Sequence, residues 1–176
     1  IESKKLILVR GDILTLDFKL YGLDKSNYKI VANIPYYITG EFLRKMLSSY
    51  VQPLQMILLV QKEVAERVSA GPPKMNLLAA SVQVWADVKV LLHVSRTEFK
   101  PAPKVDSTVI RITPNGSGDD NSKYYEFIKI LFQQPRKTIV NNLSAGYELE
   151  KGEVIRLLGE FGVDGRARPH DLGITL

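Results

Sequence analysis

Cysteine is absent from this chain of 176 residues. Disulfides and thiolate chemistry are therefore excluded. The two histidines, His93 and His170, lie far apart without a partner pattern, so no zinc ligand set exists and each reads as structural. No apolar run approaches the roughly 20 residues that a membrane-spanning helix needs. The opening Ile1-Glu2-Ser3-Lys4-Lys5 is not a secretory leader, and it lacks an initiator Met, so the true N-terminus is expected upstream. Gly116-Ser117-Gly118 does not form the tight strand-to-helix turn of a phosphate loop and is read as linker. No Ser-His-Asp arrangement is visible. Conventional catalytic groups are thus scarce in this sequence.

What is present is a hydrophobic fraction of 45%, enough for a real core, and a formal net charge of +5. Residues 1–118 carry the excess, with 16 Lys+Arg against 10 Asp+Glu, whereas residues 119–176 are nearly balanced at 8 against 9. A basic front part suits a polyanion such as nucleic acid. On charge alone, an ordinary solvated surface explains it slightly better.

Leu6-Ile7-Leu8-Val9, ended by Arg10-Gly11-Asp12, reads as a buried strand and a turn. Tyr28 to Ile34 reads as a second strand, stopped by Pro35. Thr39 is positioned to cap a helix whose apolar residues Phe42, Leu43, Met46 and Leu47 have helical spacing. Met56-Ile57-Leu58-Leu59-Val60 reads as a fully buried strand. Helices follow at Lys62 to Ala70 and Asn76 to Trp85, then strands at Asp87 to Val94 and Asp106 to Thr113. The Pro-rich connection between these last two leaves no room for a helix, so an antiparallel pair at a sheet edge is expected. The polar stretch 115–121 is a linker, and three helices follow at about Lys123 to Phe132, Arg136 to Ala145 and Lys151 to Phe161. Alternating strands and helices indicate an α/β layer fold with a largely parallel sheet.

Ligands of open α/β sheets bind at the C-terminal ends of the strands, and three loops there carry chemistry. The first is Gly11-Asp12, where a carboxylate could accept from an adenine amino group; a plain Asp turn is the commoner meaning. The second is Asn33-Ile34-Pro35-Tyr36. An adenine amino nitrogen is a poor nucleophile because its lone pair is delocalised into the ring. Acceptors on both of its N–H groups, the Asn33 side-chain oxygen and a carbonyl near Ile34-Pro35, would favour a pyramidal nitrogen with its lone pair aimed at a methyl donor. Tyr36 could stack on the base. No metal or strong base is needed, since catalysis would come from orientation and preorganised polarity. A strand-ending Asn-x-Pro turn is the ordinary alternative. The third loop is Phe99-Lys100-Pro101-Ala102-Pro103-Lys104-Val105-Asp106-Ser107, in which Phe99 could close the other face of a base and Lys100 and Lys104 could meet phosphate. A stiff connection with Phe99 in the core is at least as good a reading of that loop alone.

Taken together and in this order, these elements resemble the rRNA adenine N6,N6-dimethyltransferase family, and within it the small-subunit branch whose loss gives kasugamycin resistance. The resemblance covers nearly the whole chain. It rests on Val31 through Thr39, Val60-Gln61-Lys62-Glu63-Val64-Ala65-Glu66-Arg67, Phe99 through Ser107, and Gln134-Pro135-Arg136-Lys137-Thr138 with Asn141-Asn142-Leu143. It implies a Rossmann-like class I methyltransferase sheet over residues 1–114, a linker at 115–121, and a small all-α RNA-docking domain over 122–176. It implies S-adenosylmethionine as donor, with no metal. Asp12 and Ile13 would hold the donor's adenine, and Asn33 would contact donor and target amine. Pro35 would shape that loop, and Tyr36 and Phe99 would sandwich the flipped base. Lys62, Arg67, Lys100, Lys104, Arg136 and Lys137 would contact RNA. The implied substrate is two adjacent adenines near the 3′ end of 16S rRNA, modified in the cytoplasm by a monomer during ribosome biogenesis.

The chain departs from the family pattern in places. Pro135 and Val140 stand where basic residues are frequent, which implies weaker RNA contact by that helix. Pro73-Lys74-Met75-Asn76 replaces a stretch with Gly and Tyr. The Gly-rich donor loop and the acidic residue for the donor ribose belong upstream of Asp12, where this chain has room for one strand only. The sheet is therefore expected to be N-terminally incomplete, and donor binding by this chain weak. Two alternatives stay open: a non-catalytic RNA-binding or ribosome-assembly factor of the same fold, and the related 23S rRNA adenine methyltransferase that confers macrolide resistance. Gln61-Lys62-Glu63 and the helical tail favour the small-subunit branch.

Overall fold

The computed structural model describes residues 6–23, 27–49, 51–115 and 122–174. Among these residues four strands form one sheet: β1 (Lys29–Asn33), β2 (Gln55–Gln61), β3 (Ala86–Val94) and β4 (Ser107–Pro114), in the order β1-β2-β4-β3. β1 and β2 run parallel, whereas β4 is antiparallel to both of its neighbours. The expected antiparallel pair at a sheet edge is thus β3 with β4. Among the described residues, six α-helices accompany the sheet: α1 (Thr39–Leu47), α2 (Lys62–Val68), α3 (Leu77–Gln83), α4 (Ser122–Leu131), α5 (Ile139–Tyr147) and α6 (Lys151–Glu160).

Alternation along the strands builds the first core. Met56, Leu58 and Val60 of β2 and Ile110 and Ile112 of β4 are completely buried on one face. Phe42, Leu43, Met46 and Leu47 of α1 cover that face. β2 is not fully buried on both sides as expected, since Ile57 and Leu59 on its other face keep some exposure.

A second core joins α4, α5 and α6 through Ile128, Leu131, Ile139, Leu143 and Val154. α3 serves both cores, offering Leu78 and Val82 to the first and Ala79 and Ala80 to the second. Asn76 starts this helix by accepting from the Ala79 N–H at 3.1 Å. Small side chains on α3 let α4 approach, and Tyr124 reaches across to the Ala80 carbonyl.

Three local expectations are corrected. Leu6-Ile7-Leu8-Val9 is not a buried strand: the segment is irregular and its side chains are 38–94% exposed. A strand needs a ladder partner, and among the described residues this segment has none; β1 likewise pairs with β2 alone. Thr39 does not cap α1 as an acceptor but is its first residue, and its hydroxyl donates back to the Tyr36 carbonyl at 3.0 Å. The helix expected from Arg136 begins only at Ile139, behind the Thr138 cap. Arg136 and Lys137 therefore stand on the turn between α4 and α5, held by Asn142, whose carboxamide accepts from the Gln134 N–H at 3.2 Å and donates to the Gln134 carbonyl at 3.1 Å.

Candidate functional site

Two loops meet beside the ends of β1 and β4. β1 finishes at Asn33, and Ile34, 5% exposed, anchors the chain in the core. Pro35 has no N–H and turns the backbone out of the ladder. Its carbonyl accepts from the Ile38 N–H at 3.1 Å, so Tyr36–Ile38 wind into a single 3-10 turn that leads into α1. Asn33 is left exposed at the strand end, and among the described residues its carboxamide makes no hydrogen bond.

The second loop connects β3 to β4. Ser95 caps a 3-10 turn at Arg96–Glu98, after which Phe99 is extended and the chain bends through Lys100 and Pro101 toward Pro103. Three bonds brace the loop. The Arg96 N–H donates to the Asp106 carboxylate at 3.0 Å, the Arg96 guanidinium donates to the Lys104 carbonyl at 3.2 Å, and the Asp106 carbonyl accepts from the Lys62 N–H at 3.0 Å.

Between the loops lies an open cleft of about 370 Å³, lined by Asn33, Ile34, Pro35 and Tyr36 from the first loop and Phe99, Pro101 and Pro103 from the second. Its size falls at the lower end of small-ligand sites. The lining is aromatic and proline surface, with the Asn33 carboxamide and the Tyr36 hydroxyl as its side-chain polar groups, a composition suited to a flat heteroaromatic ring. The Tyr36 hydroxyl shares a hydrogen bond of 2.7 Å with Ser107, the first residue of β4.

The four residues read from sequence as an adenine clamp, Asn33, Pro35, Tyr36 and Phe99, thus line one cleft. Asp12 and Ile13 do not. Asp12 is exposed and turns one carboxylate oxygen to the Leu14 N–H at 2.9 Å, while Ile13 packs against the first core. Lys62, Lys100 and Lys104 are exposed beside the cleft, Lys62 with Glu66 at 4.0 Å. Arg67 is exposed at the far end of α2, and Arg136 and Lys137 lie on the turn before α5. Val140 is a core residue, 6% exposed and packed against Gly165. His93 bonds the Thr108 hydroxyl at 2.9 Å, and among the described residues no cluster of His, Asp or Glu could hold a metal.

Sequence reasoning missed Ser107, Arg96 and Lys45. Ser107 closed a stretch already singled out, but nothing local announces its partner 71 residues away. Lys45 sits within an amphipathic helix pattern and reaches back about 30 residues.

A sheet with a terminal antiparallel hairpin and an Asn-x-Pro-Tyr loop opening from a strand end defines a Rossmann-like methyltransferase sheet. The dimethyladenosine transferase of Plasmodium falciparum superposes with a TM-score of 0.78 at 22% identity, over 94% of this chain and 67% of that one. The family profile described as Ribosomal RNA adenine dimethylase matches residues 2–165, and the chain belongs to that family. It is 41% identical to the ribosomal RNA small subunit methyltransferase A of Mycoplasmopsis pulmonis, over 98% of this chain and 68% of the relative. It is 34% identical to the protein of the same name from Halothermothrix orenii, over 96% of this chain and 60% of the relative. The chain therefore spans about 60–68% of the length of these relatives.

Proposed function

We propose that this protein dimethylates the N6 amino groups of two adjacent adenines near the 3′ end of 16S rRNA, with S-adenosylmethionine as donor, acting as a cytoplasmic monomer on the small ribosomal subunit. The observation that carries this reading is the cleft in which Asn33, Pro35 and Tyr36 meet Phe99. No helix is long and apolar enough to cross a membrane among the described residues.

Tyr36 and Phe99 would stack on the two faces of a flipped adenine. The Asn33 carboxamide oxygen would accept one amino hydrogen, and a carbonyl of the Ile34-Pro35 segment the other. With both N–H bonds engaged, the nitrogen pyramidalises and presents its lone pair. Asp12 and Ile13 fit the donor's adenine: the Asp12 carboxylate is exposed and has one oxygen left beyond its bond to Leu14. When bound, the donor supplies an electrophilic methyl group, so that the N–C bond forms as the S–C bond breaks and the electron pair stays on sulfur. The alkylated nitrogen then becomes acidic, and Asn33 guides its proton toward water without acting as a base. Lys62, Arg67, Lys100 and Lys104, with Arg136 and Lys137 on the helical unit, would hold the phosphate backbone.

The test incubates undermethylated small subunits with the intact protein and methyl-labelled donor. Label in the 3′-terminal region of 16S rRNA is expected; its absence overturns the proposal. The position of Asp12 outside the cleft lining favours a second reading, a non-catalytic RNA-binding or ribosome-assembly factor of this fold. Calorimetry with S-adenosylmethionine separates the two, because micromolar binding rejects the second.

A further inference from the structure

We infer that Ser107 is a positioning residue for the adenine clamp, setting the Tyr36 ring through the bond between the two hydroxyls. The inference rests on the reading of Tyr36 as a stacking residue. Ser107 is fully buried at the start of β4, where its register partners are Gln61 on one side and Val94 on the other. Farther along the same strand, the fully buried positions include Ile110 and Ile112. A buried hydroxyl is costly unless it is bonded, and the partner of this one is Tyr36 Oη at 2.7 Å.

Stacking alone does not call for a phenol, since a phenylalanine ring offers the same π-face. The hydroxyl at position 36 makes sense as an anchor. The other end of the residue is anchored in a similar way: the Thr39 hydroxyl, 1% exposed, donates to the Tyr36 carbonyl at 3.0 Å. With backbone and ring tip both held, the two side-chain torsions of Tyr36 are fixed before any base arrives. Ser107 also ends the loop that carries Phe99, so the bond ties one wall of the cleft to the other and sets their spacing.

A group that orients the base acts on the chemical step more than on RNA affinity, which the exposed lysines supply. Ser107→Ala, Tyr36→Phe and the double variant of the intact protein are compared in methylation of undermethylated small subunits. Each single variant is expected to lower kcat roughly tenfold, the scale of one lost hydrogen bond, with KM for the subunit changed by less than about twofold. The double variant is expected to fall no further than either single, because both delete the same bond. Wild-type kcat in Tyr36→Phe, losses that multiply in the double variant, or a change confined to KM would each overturn the inference. If Ser107→Ala fails to fold, Tyr36→Phe still reads the same bond from its other end. Tyr36→Ala separates the two levels. Activity retained in it sinks the clamp itself, whereas activity lost in it but intact in Tyr36→Phe and Ser107→Ala sinks only the role of Ser107.

Discussion

The ammonium of Lys45 donates to the Leu14 carbonyl at 2.8 Å, and so joins α1 to the loop that follows Asp12. The same ammonium reaches the Leu16 carbonyl at 2.9 Å and the Ile13 carbonyl at 3.3 Å, and it lies 5.6 Å from the centre of the Phe18 ring. Three carbonyls turned to one point repel one another unless a cation sits between them. α1 starts directly after the Asn33-Pro35-Tyr36 loop, so this grip holds the Asp12 loop and the cleft to one helix. Lys45→Met keeps the aliphatic stem and removes the charge. Charge-assisted bonds contribute about 1.5–3 kcal/mol, so the amides of Thr15 and Leu16, which donate to the Asp12 carbonyl, should exchange roughly 10- to 100-fold faster. Hydrogen exchange over residues 12–18 measures this; unchanged protection would show that Lys45 does not hold the loop.

Asn33 carries a different expectation, because its carboxamide is exposed in the cleft and stabilises no described element by a side-chain bond. Asn33→Ala should leave the thermal midpoint within about 2 °C, as for most surface substitutions. In single-turnover methylation it should cost about 10²- to 10³-fold, as does loss of one preorganised polar group at a reacting centre. Subunit binding, followed by filter retention, should persist. A stable variant with full activity would remove Asn33 from the mechanism.

The elements legible in sequence were those whose apolar run or side-chain period is written locally. Met56 to Val60 is an unbroken apolar run that supplies Met56, Leu58 and Val60 to the core, Ile110 and Ile112 of β4 alternate with partly covered neighbours, and Phe42, Leu43, Met46 and Leu47 repeat at helical spacing and are buried. Leu6 to Val9 has an equally good strand composition but no ladder partner among the described residues, and pairing is not written in the segment that needs it. α5 starts three residues later than its spacing implies because the turn over Arg136 and Lys137 depends on Asn142, which local spacing cannot reveal. At the site, strand ends pointed to the loops of Asn33 and Phe99, since both open at the edge where α/β sheets bind ligands. The contacts that organise those loops, Tyr36 with Ser107 and Lys45 with the 13–16 carbonyls, join distant stretches and left no local trace.

Asn142 is the buried polar side chain that braces the turn between α4 and α5. It is 3% exposed, and its carboxamide satisfies both the N–H and the carbonyl of Gln134. Asn142→Ala strands two backbone groups at once. The cost should be about 1–3 kcal/mol, which lowers the thermal midpoint by roughly 2–4 °C for each kcal/mol in a chain of this size. Because the turn it braces carries Arg136 and Lys137, subunit affinity should weaken as well. A calorimetric midpoint equal to that of the wild type would show that water replaces the lost carboxamide.

Alkaline pH should loosen the contact between α3 and α4. The Tyr124 phenol donates to the Ala80 carbonyl at 3.2 Å, and burial pushes its pKa up to about 12. In the unfolded chain a tyrosine ionises near pH 10. The folded state therefore holds this proton more tightly than the unfolded state does. Its contribution to stability is complete below about pH 10 and is lost as pH rises from there through about 12. Burial also raises the pKa of Tyr28, whose hydroxyl donates to the Val51 carbonyl at 3.1 Å, so Tyr28 acts in the same direction. Denaturant midpoints measured across this range should fall with pH. Tyr124→Phe should start lower by about 1 kcal/mol, the scale of one lost hydrogen bond, and then fall less steeply, with Tyr28 leaving part of the slope. If Tyr124→Phe follows the wild-type curve in parallel, the alkaline loss arises elsewhere and the phenol is not what the helices enclose.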